Sequence, residues 1–169
     1  MLKFSRVGQD ANMKQQDAIA LLKADHKKVK GLFAETDDLS DRATTQLKRI
    51  GDQVCQELTV HAEVEETIFY PAVKDRTQRG HKDERGLVLE SYEEHSLVKK
   101  IISDLEAIDA SDESYRPKLK VLRDMVEQHV KEEERHLFPG ARELMDEHEL
   151  MELGAQIADL KSKRLAAAV

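Results

Sequence analysis

The 169-residue chain has one cysteine, Cys55, and no tryptophan. A lone cysteine excludes an internal disulfide framework and any cysteine-rich zinc site. Aromatic residues make up 4%, and β-branched residues are also sparse, too few for a sheet. Three prolines and seven glycines leave long stretches uninterrupted. No apolar run approaches the roughly 20 residues that span a bilayer, and MLKFSRVGQDAN lacks the apolar core of a secretory signal. Basic charge is also short: 27 Lys and Arg stand against 34 Asp and Glu, a formal charge of −7. An acidic chain without a basic stripe is a poor candidate for nucleic acid or an anionic membrane. These absences leave one cytoplasmic all-α domain rich in Ala, Leu, Glu, Lys and Arg. What stands out is seven histidines.

Four segments carry apolar stripes in steps of three and four residues. The first, from about Asp17 to Asp38, has Ile19, Leu22, His26, Val29 and Phe33 on one face. The second, from about Thr44 to Lys74, has Leu47, Ile50, Val54, Leu58, His61, Glu65 and Ile68. The third, from about Arg85 to Ile108, has Val88, Tyr92, His95, Val98, Ile102 and Leu105. The fourth begins near Ser114 and carries Leu119, Leu122, Val126, His129, Glu133 and His136, with Pro139 and Gly140 expected to end or kink it. Polar connections at 37–44, 77–86 and 109–114 are short enough to imply antiparallel neighbours, hence an up-down four-helix bundle. Asp146 and Glu149 have capping-box spacing for an additional C-terminal helix with Leu150, Leu153, Ile157 and Leu160 on one side. The expected organisation is a flexible segment 1–16, the bundle 17–140, and 141–169 packed on or beside it.

The chain also reads as a duplication. ADHKKVKGL (24–32) aligns with EEHSLVKKI (93–101), and VHAEVEETIFYPA (60–72) with QHVKEEERHLFPG (128–140), at offsets of 69 and 68 residues. Both alignments fall on the inward histidines. His61 and Glu65 project from one helical face, as do His129 and Glu133. A single inward histidine is usually a core residue bonded to a backbone carbonyl, but glutamate is almost never buried without a partner. No stripe offers Lys or Arg to answer these two. The midpoints of 26/61, 61/95 and 95/129 each fall in a polar connection, so His26, His61, Glu65, His95, His129 and Glu133 meet at one height of the bundle. Four imidazoles and two carboxylates suit a pair of first-row transition metal ions. Two irons lead; two manganese ions, a mixed pair, or zinc as a substitute remain open.

The pattern of a His followed by His-x-x-x-Glu, once in each half, resembles the hemerythrin-like (HHE cation-binding) family over about residues 17–140. The resemblance implies a non-haem di-iron centre (Fe2+/Fe3+) bridged by Glu65, Glu133 and an oxo or hydroxo group, and a ligand such as oxygen, peroxide or nitric oxide. The oxygen-carrying members have His-x-x-x-His on the third helix, where this chain has Lys99 four residues after His95. Water or Tyr92, on the metal-facing stripe, is the candidate for the position left over, Tyr92 also being a candidate to donate a hydrogen bond to a ligand without touching the metal. The leading expectation is a protein that binds or senses oxygen or nitric oxide. The rivals are a di-iron enzyme disposing of peroxide or nitric oxide, and a metal-free structural bundle. The C-terminal helix is a candidate surface for homo-oligomers. Glu66 and Glu134, one residue off the stripe, read as solvated alternates, Asp25 and Glu94 as exposed charge, and His136 as a core histidine.

Overall fold

The structure is a computed structural model that describes residues 16–77 and 80–167. Five helices account for it. Helix α1 is Ala18–Asp37. Helix α2 runs over 44–76 as Thr44–Val64, a π-helical turn Glu65–Phe69, and Tyr70–Arg76. Helix α3 is Lys82–Glu106. Helix α4 covers 115–144 as Tyr115–Glu132, a second π-helical turn Glu133–Leu137, and Phe138–Leu144. Helix α5 is Glu147–Ala167. The first four form the bundle, with α1 on α2 and α3 on α4, and α5 lies against α1 and α2. Apart from Gln16, the expectation for residues 1–16 lies outside the described residues. No helix among the described residues is long and apolar enough to cross a membrane.

Local chemistry starts the helices where the stripes begin. Asp17 accepts the amide of Ala20 at 2.8 Å and satisfies one of the four free N–H groups of α1. At α5 the capping box forms in both directions. Glu149 N–H donates to Asp146 Oδ1 at 2.8 Å, and Asp146 N–H donates to Glu149 Oε2 at 3.0 Å. α3 begins three residues earlier than the stripe alone implies, at Lys82, because Asp83 and Glu84 favour its first turn.

Pro139 does not end α4. Proline lacks an N–H and its ring crowds the carbonyl four residues back. The preceding turn is widened instead, with Phe138 N–H reaching Glu133 O, and the chain continues helically to Leu144. Pro71 sits behind the same device, Tyr70 N–H reaching Glu65 O. Both halves of the duplication therefore place a π turn that begins at the inward glutamate. Such turns insert one residue into a helix and occur often at functional sites.

The apolar stripes bury two clusters, one on each side of the His/Glu layer. Val29, Phe33, Ile50, Val54, Ile102 and Leu122 belong to one; Leu22, Phe69, Val88, Phe138, Leu150 and Ile157 belong to the other. The apolar side of α5 is thus committed to the core, and Leu165 is its one large apolar side chain left well exposed. Cys55 is buried in the first cluster. Burial, with Glu106 and Asp52 nearby, pushes its thiol up to about 12. The thiolate is the reactive form, so a thiol-specific disulfide reagent at pH 8 is expected to leave native Cys55 unlabelled over hours and to label it fully after unfolding. Rapid native labelling would contradict this packing.

Candidate metal centre

The six stripe residues do meet. α1 supplies His26, α2 His61 and Glu65, α3 His95, and α4 His129 and Glu133, all buried. The imidazoles form two pairs, His26 Nε2 to His61 Nε2 and His95 Nε2 to His129 Nε2, each at 3.2 Å. Two nitrogens bound to one ion at about 2.1 Å and near a right angle are roughly 3 Å apart, so each pair has ligand spacing. The carboxylates join the pairs. Glu65 places Oε1 3.2 Å from His61 Nε2 and Oε2 3.3 Å from His95 Nε2. Glu133 Oε2 lies 3.2 Å from His26 Nε2 and 3.5 Å from His129 Nε2. Two groups with metal-ligand spacing result: His26, His61, Glu65 and Glu133, and Glu65, His95 and His129. Glu65 is common to both.

The unmet polar atoms point the same way. Glu65 Oε1 and Glu133 Oε2 are buried without hydrogen-bond partners, because the nearby imidazole nitrogens lack hydrogen-bond geometry. Orphaned carboxylate oxygens at the centre of a core cost several kcal/mol unless positive charge meets them. Without an ion, His61 and His129 carry it, both raised above the ordinary imidazole value by the carboxylates around them. Burial opposes ionisation of Glu65, yet the adjacent imidazoles of His61 and His95 hold its carboxyl well below the usual range. Burial likewise opposes the charged form of His129, but Glu133 and Glu94 raise it to about 9. Divalent ions bound to neutral imidazoles would replace those protons, so the donor set fits metal.

Each imidazole is also held from outside. Asp25 Oδ2 is 3.2 Å from His61 Nδ1, and Glu94 Oε2 is 2.6 Å from His129 Nδ1. Glu66 Oε1 is 3.0 Å from His95 Nδ1, and Glu134 Oε1 is 2.9 Å from His26 Nδ1. Each partner comes from the neighbouring helix, and the four contacts repeat with the duplication. This corrects the reading of Asp25 and Glu94 as exposed charge and of Glu66 and Glu134 as solvated alternates. A carboxylate on Nδ1 fixes the tautomer, turns Nε2 inward and makes the ring a better donor. Glu94→Ala is expected to keep the fold and weaken metal binding about 10–100-fold, measured by competition with a chelator. Unchanged affinity would reduce Glu94 to a surface charge.

The tyrosine in the layer is Tyr70, which the sequence reading missed. Its hydroxyl donates to Glu133 Oε1 at 2.7 Å and lies 3.2 Å from Glu65 Oε2 and 3.4 Å from His95 Nε2. Burial, together with Glu133 and Glu65, holds the phenol well above its ordinary value, so it stays protonated. Tyr92, the expected candidate, instead directs its hydroxyl to the backbone carbonyl of Glu66 at 3.2 Å and packs its ring edge-on to Tyr70. The duplication held a signal: Tyr70 aligns with Phe138, which stacks on His26 with ring centres 5.7 Å apart. The hydroxyl is what differs between the halves. His136 is exposed and near Glu132, so the core reading of it fails.

The sequence profile of the Hemerythrin HHE cation binding domain matches residues 17–141. The chain belongs to this hemerythrin family. Over 159 residues it is 29% identical to a protein named DNA nickase from Nostoc sp., matching 94% of this chain. Over 137 residues it is 24% identical to an uncharacterized hemerythrin-like protein from Schizosaccharomyces pombe, matching 81%. The chain spans 43% and 65% of the lengths of these two relatives. A crystal structure of a hemerythrin HHE cation binding domain-containing protein from Mycobacterium kansasii superimposes with a TM-score of 0.73 at 26% identity, covering 90% of both chains. The matched hemerythrin region stops just after Pro139 and Gly140, so α5 lies beyond it.

Proposed function

We propose that this hemerythrin-family chain is a cytoplasmic non-haem di-iron protein that binds or senses a small diatomic ligand, oxygen first and nitric oxide second. The observation that carries the reading is the pair of orphaned carboxylate oxygens facing four inward Nε2 atoms. His26, His61, Glu65 and Glu133 would hold one ion; Glu65, His95 and His129 the other, with Tyr70 beside the second. Iron there would supply exchangeable electrons and open coordination positions. Everything else is done by the chain. The outer carboxylates orient the imidazoles, Tyr70 keeps a protonated hydroxyl in the layer, and the two apolar clusters exclude bulk water. Beside the imidazoles lies an enclosed space of about 20 Å³ walled by Val29, Leu58, Val98, Val126 and Val130. It accepts a molecule of about water's size and no organic substrate, which favours a diatomic ligand. Strand cleavage is not carried over from the Nostoc nickase, since this chain spans 43% of it.

Metal analysis of aerobically purified protein, with its absorption spectrum, tests the reading. Two irons per chain and visible bands that change reversibly when oxygen is added to and removed from the ferrous protein are expected. Substoichiometric metal with no visible band would sink it. Catalytic consumption of added peroxide or nitric oxide, abolished by His61→Ala, would move the assignment to an enzyme.

A further inference from the structure

We infer that the groove between α1 and α4 is the docking face for an acidic electron-carrier protein that exchanges electrons with the metal layer. The inference rests on the reading of that layer as a redox-active metal centre. The groove encloses about 600 Å³ and is rimmed by Lys23, Lys27, Lys30 and Lys131. Its floor is apolar, formed by Phe33, Val126 and Val130, and ends at the edge of His26 and its partner Glu134; Glu127 also lines it, with its carboxylate bonded to Arg123. All four lysines are exposed, and among the described residues none is in an ion pair. Lys28, Lys99 and Lys161 by contrast are each paired with a carboxylate. Four unpaired ammonium groups on one groove of a chain with a charge of −7 form a local field of opposite sign to the whole.

The duplication supplies an internal control. At the equivalent positions of α2 and α3, Lys23, Lys27 and Lys131 are replaced by Tyr92, Ser96 and Glu63. The remaining equivalent, Lys99, is tied to Glu66 at 2.6 Å, and Glu63 is bonded to Arg164 of α5. The bundle and the layer are therefore built on that side without the lysines. Their presence on one side alone is not a requirement of the fold.

The occupant follows from size and place. The space beside the imidazoles holds about 20 Å³, so nothing lying in the groove enters the layer. A partner there acts from outside, separated from the centre by one imidazole, the ring of His26. That arrangement suits electron exchange and not atom transfer. One-electron oxidation of the partner's reduced iron–sulfur cluster or flavin is matched by a one-electron reduction within the layer. A nucleic acid fits less well, because in the adjoining groove Lys120 and Arg123 are tied up by Asp124, Asp37 and Glu127, which leaves no continuous run of free positive charge for a phosphate backbone.

The test uses an acidic plant-type [2Fe–2S] ferredoxin as probe. Its equilibrium binding to metal-loaded and metal-free protein is measured at about 20 and about 300 mM salt, together with the rate at which its reduced form reduces the loaded protein. Combined Lys23→Glu, Lys27→Glu, Lys30→Glu and Lys131→Glu is expected to weaken binding and slow reduction at least about tenfold at low salt. High salt should do the same to wild type. Reduction by a neutral hydroquinone should change less than about twofold. Lys74→Glu, Lys82→Glu, Lys100→Glu and Lys163→Glu together carry the same net charge and should leave both readouts near wild type. Equal losses in the two sets, or rates independent of salt, overturn the proposal. Loss of affinity for a duplex oligonucleotide with ferredoxin unaffected overturns it in favour of a nucleic-acid surface. If the purified protein holds no redox-active metal, the di-iron reading and the electron exchange fall, while binding to metal-free protein still decides whether the groove docks an acidic partner.

Discussion

If the layer holds two irons as proposed, Glu65→Gln is expected to lower bound iron from two ions per chain to one or none, with affinity falling more than about 100-fold. Outer-sphere substitutions cost 10–100-fold, and Glu65 does more than an outer partner. It faces both imidazole pairs, one oxygen to each, at 3.2 and 3.3 Å. Glutamine keeps the shape but removes the charge and turns two N–H donors toward nitrogens that must offer lone pairs. One group of donors therefore loses its anion and the other loses its link to the first. Because binding to the folded state alone adds stability, about 2.7 kcal/mol at one hundred times Kd, the iron-dependent rise in Tm should shrink in parallel. Metal content and thermal unfolding with and without iron check both effects. Two irons bound by Glu65→Gln with an unaltered Tm shift would show that Glu65 is not shared. Glu66→Gln, next in sequence, is expected to retain two irons at reduced affinity, because Glu66 reaches only His95 Nδ1.

What the sequence made legible was periodic. Val29 and Phe33, Val54 and Leu58, Val98 and Ile102, Leu122 and Val126 are buried where the three-four stripe puts them. The six His/Glu residues were found because a carboxylate on an apolar stripe conflicts with its neighbours, and that conflict is visible without coordinates. The family resemblance was legible for the same reason, and the profile match over 17–141 shows it. Two kinds of information were hidden. Asp25, Glu66, Glu94 and Glu134 each sit one position from a stripe residue, about 100° around the helix, where charge normally meets solvent. Their use depends on which helix lies alongside, a tertiary fact. Tyr70 was hidden by a change of period. Five residues past Glu65 on an ideal α-helix it would point about 140° from the stripe. The π turn at Glu65–Phe69 winds more residues into one turn and swings Tyr70 inward. In α4 the same device carries His136 off the stripe and lets the helix pass Pro139. A hydrophobic pattern that assumes one period reports a break where the chain has only changed its winding.

Gly154→Val is expected to destabilise the protein by about 1–3 kcal/mol, the range for overpacking a close contact, and to loosen α5 more than the bundle. A Cβ on Gly154 would lie 2.2 Å from the carbonyl oxygen of Gln16 and 3.0 Å from the amide of Ala18. Both are backbone atoms at the capped start of α1, so no side-chain rotation makes room and α5 itself must move outward. The buried face of α5, Leu150, Ile157 and Ala158, would lose contact with the second cluster. One turn beyond Ile157, Lys161 is paired with Asp25, whose other carboxylate oxygen holds His61 Nδ1. Displacing α5 thus removes a cation from the residue that orients His61, while among the described residues Glu94, in the same role at His129, is paired with no lysine. Hydrogen exchange should show faster amides in 147–167 than in α3. On the di-iron reading, iron binding should weaken severalfold without loss of the second ion, since all six candidate ligands lie on α1–α4. A mutant with unaltered α5 protection and wild-type stability would mean that the approach of the two backbones is looser than the geometry requires.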